Sequence, residues 1–202
     1  KPIEITTLGI ETRSYLESFG VPVTDITKVS KNPEAFSGRV KTLSFAVEAA
    51  ILHDRTKHQT EAKNLNISPI DLVVCNFYPF AQKAKEEKDI TKLIEYIDIG
   101  GPTLIRSAAK NFQYVAAVCK EEDYSWLIDE MEKTNSCLSY VSRKKLMFKA
   151  LSYTSKYEAS IANYMKEQEP KEAMELSFTN GNQLRYGENS HQQSYFYRET
   201  SA

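Results

Sequence analysis

Apolar residues follow two rhythms along this chain. At Pro69-Ile-Asp-Leu-Val-Val-Cys-Asn76, and again at Tyr114-Val-Ala-Ala-Val-Cys119, they run on without period-2 alternation. That is the pattern of strands buried on both faces of a parallel sheet. Between the two runs a polar stretch, Gln82 to Asp89, gives way to Ile90, Leu93, Ile94 and Ile97 at helix-like spacing, and Pro102 stands where a first helical turn tolerates it. Strands alternating with helices predict a layered α/β fold. Downstream, Tyr124, Leu127, Ile128 and Met131 fall at helical spacing between Glu122 and Lys133. A polar turn then leads to Ser139 as an N-cap, after which Leu146, Ala150, Tyr153, Tyr157, Ile161 and Tyr164 step by three or four residues. This stripe predicts one long amphipathic helix whose apolar face packs on a core or a subunit contact.

The character changes after the charged segment Lys166 to Glu172. Short extended pieces at 174–178 and 194–197 surround Asn180-Gly181, a pair that predicts a hairpin-like turn. Too little chain remains for a second core, so one domain is expected up to that linker, and residues from about 173 onward are expected to be the start of another domain, or an arm.

Composition narrows the function classes. With 202 residues, 41% hydrophobic and 26% charged, the chain can bury one core. Its 26 Lys and Arg against 27 Asp and Glu leave a net charge of −1, which offers no field to hold a nucleic-acid backbone or an anionic membrane. An anionic ligand must therefore be gripped locally. No apolar run approaches the roughly 20 residues that span a bilayer, and Lys1 and Glu4 stand where a signal peptide needs an apolar core, so a soluble cytoplasmic protein is expected. Cys75, Cys119 and Cys137 are far apart, with His53, His58 and His191 as the histidines, which suggests neither a disulfide framework nor a metal site. Beginning at Lys1 without a Met or an opening strand, the chain is expected to lack its natural N-terminus.

Three segments carry candidate chemistry. Gly38-Arg39-Val40-Lys41-Thr42 sets two cations and a hydroxyl after a glycine, which suits an oxyanion or phosphate, although a solvated Arg-Lys pair reads the same way. Asn76-Phe-Tyr-Pro-Phe80 follows the first strand, and in open α/β sheets ligands lie beyond the carboxyl ends of strands. Tyr78 is thus placed either to act or to pack on Pro79. Ile97-Asp98-Ile99-Gly100-Gly101-Pro102 puts a carboxylate and two glycines before a helix start, where free N–H groups favour an anion. Asp98 can equally cap that helix. Arg106 and Lys110, four apart, share a face, and small Ala108 and Ala109 are expected to let another element approach and bury Lys110 in part, making its proton affinity tunable.

Taken in order and spacing, residues 38–43 (Gly-Arg-Val-Lys-Thr-Leu), 75–80 (Cys-Asn-Phe-Tyr-Pro-Phe), 97–103 (Ile-Asp-Ile-Gly-Gly-Pro-Thr), 106–111 (Arg-Ser-Ala-Ala-Lys-Asn) and 185–189 (Arg-Tyr-Gly-Glu-Asn) resemble the bifunctional purine enzyme family. That family formylates aminoimidazole carboxamide ribotide (AICAR) and then closes the ring to inosine monophosphate (IMP). The resemblance implies a methylglyoxal-synthase-like, three-layer fold, a mostly parallel sheet flanked by helices. It implies an IMP cyclohydrolase domain over residues 1–170, lacking its first strand and loop, and the start of a truncated transformylase domain after 171. It implies Lys41, Tyr78, Asp98 and Lys110 as catalytic residues, with Lys110 transferring a proton. Thr12, Arg39, Val40, Thr42, Cys75, Asn76, Ile99, Gly100 and Gly101 would bind the nucleotide, and Arg185 and Tyr186 the ribotide of the transformylase half. A homodimer follows from the same resemblance, as does ring closure without metal or organic cofactor. The folate, 10-formyltetrahydrofolate, would serve the transformylase half alone.

The chain departs from the family pattern at its phosphate loops. The second glycine loop is here Thr6-Thr-Leu-Gly-Ile-Glu-Thr12, with Glu11 near the expected phosphate. A Lys-Thr-Leu-His-Pro run followed by a second His is here Lys41-Thr-Leu-Ser44-Phe45 with Glu48 beyond. These changes motivate two further readings: a catalytically weakened paralogue that binds a purine nucleotide, and a structural partner of a separate transformylase chain.

Overall fold

Short parallel strands, each followed by a helical crossover, organise the first part of the molecule. The computed structural model describes residues 4–7, 9–33, 35–36, 39–166, 178–185, 187, 189 and 191–199, in two units, Lys1–Tyr157 and Glu158–Ala202. In the first unit β1 (Ile5–Thr7) leads through α1 (Ile10–Ser18) to β2 (Val23–Asp25), and the two strands pair in parallel. Helices α2 (Ile26–Ser30), α3 (Phe45–Leu52) and α4 (Gln59–Asn64) precede β3 (Leu72–Val74). Then come α5 (Phe80–Glu86), α6 (Ile90–Leu93) and α7 (Gly100–Lys110), which lead to β4 (Ala116–Val118). β3 and β4 pair in parallel, Val73 opposite Ala117. A parallel pair requires such a crossover, so the α/β reading of the sequence is the observed fold. The chain continues through α8 (Tyr124–Lys133) into α9 (Tyr140–Lys166).

The two strands forecast as buried on both faces differ. Ala116, Ala117 and Val118 are each 1% exposed. In β3 Val73 is 8% exposed but Leu72 and Val74 are 38% and 48% exposed. Alternate residues of a strand point to opposite faces, and α7 packs on β3 from one side, so only that face is covered.

Helix ends follow their capping residues. Ser44 Oγ accepts from the Val47 amide at 3.2 Å and starts α3, and Ser139 Oγ accepts from the Ser142 amide at 3.1 Å, the N-cap the sequence predicts for α9. The Asn111 side-chain amide donates to Ile51 O at 2.7 Å and His53 O at 3.2 Å, tying the end of α7 to the end of α3. The core gathers Val47 and Ile51 of α3, Leu104, Ile105, Ala108 and Ala109 of α7, and Leu146 and Ala150 of α9, all buried. Of the forecast stripe of α9, Leu146, Ala150 and Tyr157 are buried, Tyr153, Ile161 and Tyr164 are half-buried, and Thr154, outside the forecast, is buried beside them.

In the second unit β5 (Phe178–Gln183) pairs antiparallel with β6 (Tyr195–Glu199). The expected turn at Asn180-Gly181 is instead a place inside β5 where the register shifts, between Thr179 and Asn182. A Cβ at Gly181 would lie 2.6 Å from the Tyr197 ring, so the glycine lets that ring cross the strand and the reversal comes later, closed by Leu184 N to Ser194 O at 2.8 Å. Most of the charged linker and of the first extended piece, residues 167–177, lies outside the described residues. Among the described residues no helix is long and apolar enough to cross a membrane.

Candidate functional site

The chain leaving β3 as Cys75–Tyr78 meets the start of α7, and this junction is built around one carboxylate. Asp98 Oδ1 accepts from the Gly101 amide at 2.9 Å, and the backbone N–H groups of Tyr78 and Gly100 face the Asp98 carboxylate and favour its charged form. Burial pushes the Asp98 carboxyl above its ordinary range, and the three amides pull only part of the way back. Asp98 thus caps the helix, as one of its two sequence readings has it, while remaining partly accessible. The half-buried Cys75 thiol is pushed up to about 12, first by burial, then by the Asp98 and Cys119 charges.

Glycines let these groups touch. A Cβ on Gly101 would lie 2.6 Å from Asp98 Oδ2 and 3.1 Å from Cys75 Sγ, and one on Gly100 would overlap the Thr42 hydroxyl. The segment 39–42 therefore closes on the first turn of α7. Arg39 also pairs with Glu95, in the short helical turn that precedes α7. Asp25, at the end of β2, is held below the ordinary carboxylate range by its bonds from Thr27 and, more weakly, by the charges of Lys41 and Arg13. The Asn76 side chain donates to Cys119 O at 3.3 Å across the strand ends. Tyr78 and Ile99 are 58% and 56% exposed beside this cluster, and Val40 is 40% exposed.

The structure accordingly brings Thr42, Cys75, Asn76, Tyr78, Asp98, Gly100 and Gly101 to one junction. Lys110 is not among them. It ends α7, ten residues from Gly100 and so about 15 Å along the axis. The expected partial burial of Lys110 is also overturned: the residue is exposed. Ala108 and Ala109 are 0% and 1% exposed because they face the core, and a turn of 3.6 residues places Arg106 and Lys110 together on the outer side. With Leu52, Met147 and Leu151 they line an open groove of about 590 Å³. Thr12 is exposed in the first turn of α1, behind Gly9, which offers no side-chain cap. Arg185 is exposed in the second unit, whereas Gly38 and Tyr186 lie outside the described residues.

Where the family pattern has histidines, Ser44 is the cap of α3, and Glu48 Oε2 accepts from the Ser107 hydroxyl at 2.6 Å. Glu48 Oε1 is buried with no partner among the described residues. Sequence reasoning placed Tyr157 in the packing stripe of α9 and gave it no part in the site. Its hydroxyl accepts from the Asp98 amide at 2.8 Å and donates to Tyr96 O at 3.2 Å. The one available signal was its hydroxyl, which like those of Tyr153 and Tyr164 stands in an otherwise apolar stripe. Among the described residues no three His, Cys, Asp or Glu side chains gather as metal ligands would.

Comparison with known proteins supplies the context. A family profile described as MGS-like domain matches residues 7–103, and one described as AICARFT/IMPCHase bienzyme matches residues 108–202. The bifunctional purine biosynthesis protein PurH of Clostridium beijerinckii is 42% identical over 99% of this chain and 40% of its own length. PurH of Acetivibrio thermocellus is 40% identical over 98% of this chain and 41% of its own length. This chain therefore spans about 40% of the length of these relatives. The crystal structure of ForH superimposes with a TM-score of 0.69 at 30% identity, covering 80% of this chain and 85% of that one.

Proposed function

Because the chain belongs to the AICARFT/IMPCHase bienzyme family, we propose that it carries the IMP cyclohydrolase activity, closing the ring of formyl-AICAR with loss of water to give IMP in purine biosynthesis. The observation that supports this most directly is the Asp98 carboxylate, bonded by the Gly101 amide and faced by those of Tyr78 and Gly100 at the strand ends beside Cys75 and Thr42.

Ring closure sets a carboxamide nitrogen, a poor nucleophile, against a formamide carbon. A proton must leave the nitrogen while negative charge grows on oxygen. Asp98, held partly desolvated, takes up that proton, and Tyr78, whose amide faces the same carboxylate, orients the formyl group and passes the proton on to the former formyl oxygen. That oxygen then leaves as water with a second proton from the formamide nitrogen as the C=N bond forms. Lys41 stabilises the oxyanion. Thr42, Cys75, Asn76 and the Gly100-Gly101 backbone frame the nucleotide, with Arg39, Val40, Thr12 and Ile99 around it. This step draws on side chains and backbone and needs no cofactor, and 10-formyltetrahydrofolate belongs to the formyl transfer assigned to the rest of the relatives' length, where Arg185 and Tyr186 would contribute. A homodimer in the cytoplasm completes the reading.

Ultraviolet absorbance of formyl-AICAR incubated with the chain tests the assignment, and Asp98→Asn is the control. IMP formation that the substitution abolishes supports it. Ribotide binding without turnover would instead identify a weakened nucleotide-binding paralogue.

A further inference from the structure

We propose that Tyr157 is a positioning residue for the cyclohydrolase centre, its hydroxyl fixing the Asp98 segment while its ring fixes the neighbouring Cys75–Tyr78 segment; this rests on the assignment of Asp98 above. The hydroxyl stands between two backbone groups, accepting from Asp98 N at 2.8 Å and donating to Tyr96 O at 3.2 Å. It thereby bridges Ile97 and settles the direction in which the chain enters the Asp98 position. Ile97 lies where no helix imposes a backbone course, between a short helical turn at Ile94–Tyr96 and α7.

The ring acts on the other segment. Phe77, 7% exposed, sits with its centroid 5.0 Å from Tyr157 and 4.7 Å from Tyr153. Phe77 lies between Asn76 and Tyr78, and the Tyr78 amide faces the Asp98 carboxylate. One side chain of α9, itself 9% exposed, thus holds both partners of the Tyr78–Asp98 contact. Tyr153 shares only the aromatic half of this arrangement, which makes it the natural comparison.

Tyr157→Phe keeps the ring and the packing but strands two backbone groups, leaving the Asp98 segment free to swing toward water. Burial is what raises the Asp98 carboxyl, so the same change returns it toward the ordinary carboxylate value. The test is carried out on the whole chain with 13C-carboxylate-labelled aspartate. In Tyr157→Phe the Asp98 titration midpoint is expected to fall by about half a unit or more, with kcat down about tenfold, the scale of one lost hydrogen bond, and KM changed less than about twofold. Tyr153→Phe, which removes a hydroxyl without touching Asp98, is expected to leave both unchanged. An Asp98 midpoint in Tyr157→Phe equal to that of the wild type overturns the proposal, whatever the rate. If the wild-type chain closes no ring at all, the cyclohydrolase assignment fails while the titration still decides whether Tyr157 positions Asp98.

Discussion

A methyl group at position 101 would occupy the space where Asp98 and Cys75 meet. Gly101→Ala gains about 1 kcal/mol of helix propensity, against an overpacking cost of about 1–3 kcal/mol for a Cβ placed 2.6 Å from Asp98 Oδ2. The net loss of stability is therefore small, while the carboxylate is displaced from its amides. Urea unfolding is expected to show a loss of about 1 kcal/mol, with ring closure down about a hundredfold or more; comparable losses in both would mark the glycine as structural. Asp98 also sets a pH dependence. Its carboxyl is raised by burial, so it contributes stability that is fully present below the unfolded value of about 3.9 and is lost as pH rises through the folded value. Asp98→Asn is expected to gain on the wild type in urea midpoint across that window, and the wild-type rate of ring closure is expected to fall as pH drops through the folded Asp98 value. At this scale the Asp98-Gly100-Gly101 pattern could be read directly, because a carboxylate before a helix start has few other partners. Tyr157 could not, because a tyrosine in an apolar stripe reads as packing until its hydroxyl is seen to meet a backbone amide.

Between elements, α3 shows how a departure from the family pattern is absorbed. Ser44 gives its helix a cap, and Glu48 one turn later reaches across to Ser107 of α7. Ser44→Ala is expected to cost about 1 kcal/mol in chemical unfolding with no change in ribotide binding by calorimetry; a loss of binding larger than the loss of stability would give Ser44 a direct place in the site. Strands β3 and β4 and helices α7, α8 and α9 were legible because their periodicities are set by burial, whereas β1, β2 and α1 to α5 went unread. What covers a strand's second face is set by chain elsewhere in the fold, which is why Leu72 and Val74 defied the pattern. Asn180-Gly181 failed for another reason. The same two residues suit a tight turn or a register shift, and the Tyr197 ring across the strand decides between them.

For the molecule as a whole, the placement of Lys110 at the far end of α7 bears on assembly. If it transfers a proton in a homodimer, the centre it serves is the partner's. Mixing Lys110→Ala with Asp98→Asn subunits is then expected to restore about a quarter of the wild-type rate, since half of the dimers are mixed and each holds one intact pairing. No recovery from two inactive parents would confine both groups to one subunit, and full activity of Lys110→Ala alone would remove the lysine from the chemistry. The sulfur atoms are distributed just as unevenly. Cys119 is buried and its thiol, like that of Cys75, is held protonated by burial, whereas Cys137 lies exposed in the turn before α9. Alkylation requires the thiolate, so iodoacetamide at neutral pH is expected to add a single mass increment, mapped by peptide mass spectrometry to Cys137. The molecule thus comes with one chemically addressable handle, through which a dye or a surface tether can be attached while the thiol beside Asp98 stays untouched.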